Sequence, residues 1–275
     1  MKSPVELIMV TAENNNKRYF MQDSNDGNFR VEYGRIGQNM TVETYPISRW
    51  DSKYKEKIKK GYKDVSDLKA TTIEGQVTFN STDVEHFYQC FSRYTKENVS
   101  RNYTIAVGAV TKLMVDEAQG VINDLSKSST VDDFNKFLLE LYMILPRRMG
   151  NVKDHLLRDI STINKRVGSE QDILDSLSSQ IITQQVSGDQ TIEDLLGVKI
   201  EMINNPAWID TLVNPTNTSR HKPYKTYKIT HPSRTQKFND WVNVQDNKHT
   251  ELLIHGTRNP NIFSILKAGL IIRPT

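Results

Sequence analysis

The chain has 275 residues, of which 37% are apolar, one cysteine and a formal net charge of +3. That length suits about two domains of ~100–200 residues each. The lone Cys90 excludes an internal disulfide and a multi-cysteine zinc site, and no apolar run approaches the ~20 residues of a membrane span. Met1 to Val10 carries Lys2, Pro4 and Glu6 and does not read as a secretory signal. A soluble intracellular protein is expected, nuclear in a eukaryote and cytoplasmic in a bacterial or phage setting. Charge is uneven: residues 206–275 hold 10 Lys/Arg against 4 Asp/Glu, so this end suits an anionic ligand.

Residues 1–68 read as β with one helix. Val5, Leu7 and Met9 alternate, as do Phe29, Val31 and Tyr33, which predicts half-buried strands. Asn25-Asp26-Gly27 between two such runs marks a hairpin, and Gly37-Gln38-Asn39 a second turn. Trp50, Tyr54 and Ile58 form one stripe of a helix, with Ser48 placed to cap its start and Gly61 its end. Its other face carries a basic run, Lys53, Lys55, Lys57, Lys59, Lys60 and Lys63, diluted by Glu56.

Residues 69–108 read as a linker with one helix, in which Phe87, Cys90, Phe91 and Tyr94 pack on the first domain. Residues 109–191 read as a helical bundle. Phe134, Phe137, Leu138, Leu141 and Leu145 follow helical spacing; Ser129-Thr130 before Asp132 and Asp133 suits a capped start, and Pro146 a stop. Val152, Leu156, Ile160 and Ile163 suggest another stripe, and Ser169 stands ahead of a third through Ile173, Leu174, Leu177 and Ile181. Residues 192–275 return to strand signals at Leu196–Ile200, Tyr224–Ile229 and Leu252–Ile254. Asn259-Pro260 then opens a short helix through Ile262, Phe263 and Leu266, closed by Gly269. The expected class is multidomain α+β: a β-rich unit, a helical bundle, then the start of an α+β sheet domain.

Three blocks carry a resemblance. Val31-Glu32-Tyr33-Gly34-Arg35-Ile36-Gly37, with Lys60-Gly61-Tyr62 behind it, resembles a WGR domain in which Tyr33 replaces the usual Trp. Leu145-Pro146 followed by Gly150 resembles a turn of a regulatory helical domain. Leu252-Leu253-Ile254-His255-Gly256-Thr257-Arg258, with Asn261 and Leu266-Lys267-Ala268-Gly269-Leu270, resembles the start of the NAD-binding core of the poly(ADP-ribose) polymerase family. The order of the blocks is that of this family.

The resemblance implies an ADP-ribosyltransferase that consumes NAD⁺ when DNA ends or nicks are bound and modifies protein acceptors. His255 would bind the nicotinamide ribose and count as the catalytic-site residue of this segment, Gly256 the carboxamide, and Thr257 and Asn261 the adenosine half. The residue types suit this. The ribose becomes oxocarbenium-like, a His can bond a ribose hydroxyl, and a Gly lets the backbone approach a flat amide. In the family an Arg directly follows the Gly-Leu pair; here Ile271 does, and Arg273, two residues on and on the same face of an extended chain, is the candidate in its place. The chain reaches Thr275 before the family's nicotinamide-stacking Tyr and catalytic Glu, which implies a truncated transferase domain, inactive alone. An incomplete sheet domain leaves edges uncovered, so the last ~60 residues are expected to be poorly ordered or to pair with another surface. Tyr33, Gly34, Arg35, Lys53, Lys57 and Lys60 are the implied DNA contacts. The bland alternatives are a Tyr filling the sheet core and a solvated basic helix face. The rival function is a non-enzymatic DNA-end binder with a vestigial transferase stub. No Rossmann or Walker motif occurs, and the six His lack ligand spacing, so no metal is expected.

Overall fold

The computed structural model describes residues 1–68, 77–103, 110–184, 190–203, 225–251, 253 and 255–270. Within them the chain is mixed α+β, as expected: a five-stranded antiparallel sheet followed by helices, then a two-stranded hairpin among further helices. The first sheet comprises β1 (Val5–Val10), β2 (Asn16–Asp23), β3 (Asn28–Arg35), β4 (Thr41–Pro46) and the two-residue β5 (Lys63–Asp64), in the order β4-β3-β2-β1-β5. The Asn25-Asp26-Gly27 hairpin forms where Asp-Gly demanded it, with Asn25 and Gly27 both at positive φ. The second turn is closed by Gln38 N donating to Arg35 O at 3.1 Å.

Strand register sorts the side chains by face. Leu7, Tyr19 and Tyr33 lie in one cross-strand row, with Met21 opposite Val31 in the next. Leu7, Tyr19, Met21, Phe29 and Val31 bury against Trp50 of α1 (Trp50–Lys59), whose ring meets Phe29 edge-on at 5.1 Å. Ile8 and Val10 point the other way, into the helical core. The strands expected to be half-buried are therefore covered on both faces where β1 runs, because the helices supply a second apolar surface. Helix α1 departs from expectation at its start. A 3-10 turn, Ile47–Arg49, leads into it, and Ser48 makes no cap. Of the expected stripe only Trp50 is fully buried.

Helices α2 (Thr82–Asn102), α3 (Lys112–Leu125), α4 (Val131–Ile144) and α5 (Ile163–Gln184) follow. Thr130 caps α4 by accepting from Asp133 N at 3.1 Å, and Phe134, Leu138 and Leu141 are wholly buried, as their spacing predicted. Val152 to Ile163 forms 3-10 turns rather than the expected single stripe, whereas the stripe Ile173, Leu174, Leu177 and Ile181 falls on α5, which starts at Ile163, ahead of Ser169. Helix α2 does not pack on the sheet through Phe87. Its first half joins Ile182, Ile192, Leu196 and Phe263, while Val99 joins the core shared by the sheet and the bundle. That shared core runs without a break from Ile8, Ile36, Val65 and Leu68 to α3, α4 and α5.

A charged cluster sits inside this core. Glu170 of α5 is buried and paired with the buried Arg147, and its Oε1 lies 3.1 Å from Arg166 Nη2. Tyr142 OH accepts from Arg166 Nη2 at 2.6 Å, and burial pushes the Tyr142 phenol up to about 12. Burial disfavours the Arg147 charge, but Glu170 together with Tyr103 and Tyr142 outweighs this and holds its pKa above the ordinary value. His155 lies beside the cluster, its ring edge-on to Tyr142. Partial burial, then the positive charges of Arg166 and Arg147, lower its pKa against the opposing pull of Asp154 and Glu170. The sign follows: below the unfolded value of 6.5 the unfolded chain binds more protons. The stability His155 contributes is thus complete above 6.5 and is lost as pH falls towards its folded value. His155→Gln is expected to flatten stability against pH between about 7 and 5, measured by urea unfolding. Parallel slopes for the two proteins would contradict this.

The remaining elements are α6 (Ile192–Leu196), β6 (Lys199–Ile203), β7 (Thr226–Thr230), α7 (Pro232–Asn243) and α8 (Ile262–Ala268). The strand expected at Leu196–Ile200 is shared between two elements: Leu196 ends α6, Gly197 caps it, and β6 begins at Lys199. β7 begins at Thr226 within the span expected from Tyr224, which lies outside the described residues. Phe238 and Trp241 fall on α7 and remain 52% and 60% exposed. Among the described residues no helix is long and apolar enough to cross a membrane, and no acid, His or Cys cluster has the makings of a metal site.

Candidate functional site

The turn after β3 and the loop after α4 meet at one place. Gly34 sits in close approach there: a Cβ would lie 3.1 Å from Met40 Sδ and 3.3 Å from Asn39 O, so a larger residue requires Met40 to shift. Tyr33 rests its ring on Tyr19 at 5.9 Å and donates its hydroxyl to Glu43 at 2.7 Å. Glu43 also accepts from Tyr45, and these hydroxyls hold its carboxyl below the usual range. Arg35 is turned inward across the turns. Its Nη1 and Nη2 donate to Asn14 O at 2.8 Å and Asn14 Oδ1 at 2.9 Å, and Nη2 also reaches Gly150 O. Thus Arg35 ties the sheet to the helical unit.

The lysines divide by direction, contrary to the expected outward face. Lys53 lies 4.3 Å over the Tyr45 ring and Lys57 4.3 Å over the Tyr19 ring, both with side chains under 20% exposed. Burial lowers the Lys57 pKa. Both packed stems cover the aromatic sheet face, a use of lysine that charge counting does not show. Lys60 pairs with Glu56 at 2.6 Å but stays exposed beside Lys55 and Lys59.

At the other end, His255, Gly256 and Thr257 are exposed and belong to no regular element. Leu253 is 81% exposed and outside any strand, so the strand expected there does not form at that residue; Leu252 and Ile254 lie outside the described residues. Arg273 also lies outside them. The helix start falls close to its expected place: a 3-10 turn, Asn259–Asn261, leads into α8, and Gly269 follows at positive φ. Asn261 is the correction. Its amide is buried, and Oδ1 accepts from Ser176 Oγ on α5 at 2.8 Å. Asn98 Nδ2 donates to the same hydroxyl at 2.7 Å, Ser264 N donates to Ser179 Oγ at 3.0 Å, and Arg258 pairs with Asp172 at 3.5 Å. Asn261 therefore locks the turn to α5 and, through Ser176, to α2. Glu251 pairs with His249 at 3.1 Å. Neither Arg148 at the Arg35 junction nor the Arg147–Glu170 pair was picked out from sequence. Only the i,i+4 spacing of Arg166 and Glu170 was there to find.

Over 197 residues the chain is 36% identical to uncharacterized protein 101L of Invertebrate iridescent virus 6, which spans 70% of this chain and 83% of that protein. The chain belongs to the 101L family. A second similarity, 38% identity over 55 residues, is to the poly(ADP-ribose) polymerase-like protein 100L of the same virus. It covers 20% of this chain and 30% of that protein. No protein-family model matches the chain. This member of the 101L family thus shares one short segment of similarity with a polymerase-like protein, alongside the fold described above.

Proposed function

We propose that the chain serves ADP-ribosyl transfer from NAD⁺ to protein acceptors in response to DNA ends or nicks. The observation that carries this reading is the open His255-Gly256-Thr257 loop, which leads straight into a turn and helix clamped on α5. The short similarity to the polymerase-like protein 100L supports it. In this reading His255 bonds the ribose, Gly256 and Thr257 line the carboxamide and adenosine, and Arg273 stands in for the family's Arg. Asn261 takes part only if α5 releases it. Coupling of that kind needs the DNA-bound state to favour the released form. Lys60, with Tyr33, Gly34 and Arg35, would face the DNA, while Lys53 and Lys57 would act by holding the aromatic face beneath them.

The test is nicotinamide release from NAD⁺ with and without nicked duplex DNA. Nick-stimulated release is expected from a protein that carries this segment together with the family's Tyr and Glu, falling about tenfold to a hundredfold in His255→Ala, the range set by one lost hydrogen bond of ~1.5–3 kcal/mol. The burial of Asn261 favours a second reading, a DNA-end binder without chemistry. Nick-dependent binding with no nicotinamide release would establish that reading and remove the first.

A further inference from the structure

The junction of the sheet and the helical unit encloses a cleft of about 270 Å³, lined by Arg35, Ile36, Gly37, Gln38, Arg148, Met149 and Gly150. We infer that this cleft is a binding site for a phosphate monoester, held between Arg148 and Arg35. The volume lies below the ~300–1,000 Å³ of sites for drug-sized ligands, which suits a single phosphoryl group with part of its sugar. The floor is apolar, since Ile36 and Met149 are buried. The charge lies at the rim. Arg148 is exposed, and its Nε donates to Tyr103 O at 3.3 Å. Among the described residues neither Arg148 nor Arg35 forms an ion pair, and no carboxylate lines the cleft.

Elsewhere in the fold arginines are neutralised by acids, as Arg18 is with Glu6 and Arg166 with Glu170. Arg35 is fixed by three neutral oxygens, two of Asn14 and one of Gly150, which take both N–H groups of Nη2 and one of Nη1, so its charge is held in place and not cancelled while Nε–H and the second Nη1 N–H remain for a ligand. Arg148 is carried by a loop whose main chain is also fixed: Arg148 N donates to Asn102 O at 3.1 Å. Two arginines from different units lining one cleft without an acid suit a doubly charged anion. A bound phosphate would span the junction and hold the sheet and bundle together. The inference stands apart from NAD⁺ chemistry, and it assigns Arg148 a role that DNA contact through Tyr33 does not require.

The probe is inorganic phosphate, titrated into isotope-labelled full-length chain at constant ionic strength, with chloride as the matched control. Saturable shifts are expected at the Gly37, Gln38 and Gly150 amides. Arg148→Ala is expected to weaken binding at least tenfold, and Arg148→Lys to recover only part, because an ammonium lacks the fork. Arg148 is exposed, so an unchanged melting temperature in chloride will show that the variant folds. No saturable shift at those amides, or equal affinity in Arg148→Ala, would overturn the site. Competition separates the sources. Displacement by a 5′-phosphorylated oligonucleotide and not by its unphosphorylated form identifies a nucleic-acid end. Displacement by adenosine monophosphate and not by adenosine identifies a free nucleotide. Failure of both phosphorylated competitors would overturn the monoester assignment. Phosphate binding that survives in a chain without NAD⁺ turnover would leave the cleft standing and remove only the transferase reading.

Discussion

Glu170→Gln is expected to lower the stability of the chain by about 3–5 kcal/mol, the cost typical of breaking a buried ion pair from one side. Glu170 is 1% exposed and pairs with both Arg147 and Arg166. An amide can accept a hydrogen bond but carries no charge, so two guanidinium groups would face each other in the core. The effect should reach beyond the helices. Arg147 forms a bridge with Tyr103 and its carbonyl accepts from Asn16 of β2, so the loop that would move also touches the sheet. Urea unfolding followed by circular dichroism measures the loss. A companion variant, Arg147→Met with Glu170→Leu, removes both charges and should recover much of it, since Arg166 is partly exposed and can turn to water. A loss under ~1 kcal/mol for Glu170→Gln would show that the pair is hydrated and contributes little.

Phe263→Ala is expected to release α8. The ring is wholly buried, meeting Phe87 edge-on at 6.1 Å and Tyr88 at 5.8 Å. Truncating such a ring costs about 3–5 kcal/mol. The remaining ties are the half-buried Ile262 and Leu266 and single hydrogen bonds, among them Asn261 to Ser176, Ser264 to Ser179 and Lys267 to Leu195 O, each bond worth about 1 kcal/mol net. A seven-residue helix has little stability of its own. The loss should therefore appear first as local opening. Hydrogen exchange should show residues 259–268 losing protection while α3 and α4 keep theirs. Uniform loss over the whole chain would mean that α8 and the bundle unfold as one unit. Within the last ~60 residues α8 pairs with α5 and α2, while Phe238 and Trp241 of α7 are exposed.

Much of the local structure was legible in the residues alone. Asp26-Gly27 set a hairpin because Gly accepts positive φ cheaply, and Thr130 ahead of Asp133 set a helix start because its hydroxyl satisfies an orphan amide. The α4 stripe was legible because its period matches one buried face. Long-range partners were not. Periodicity states that a face is apolar but not what covers it, so α2 was placed against the sheet when Phe87 packs on Phe263. Charge pattern likewise states sign and not direction. Lys53 and Lys57 read as an outward basic face, yet their stems lie over Tyr45 and Tyr19, because burying methylenes on aromatic rings keeps the ammonium at the edge of water. Short polar side chains are the least legible. Asn261 suits a ligand and a buried latch equally, and only the arrival of Ser176 from α5 decided for the latch. The cleft shows the same division. Arg35 was singled out from its motif, but Arg148 is brought to it by packing between residues more than a hundred positions apart in the chain. Local steric and hydrogen-bonding rules act within a few residues and are written in sequence. Which charges converge, and which remain without a counter-ion, depends on the closure of loops whose ends only the folded core brings together.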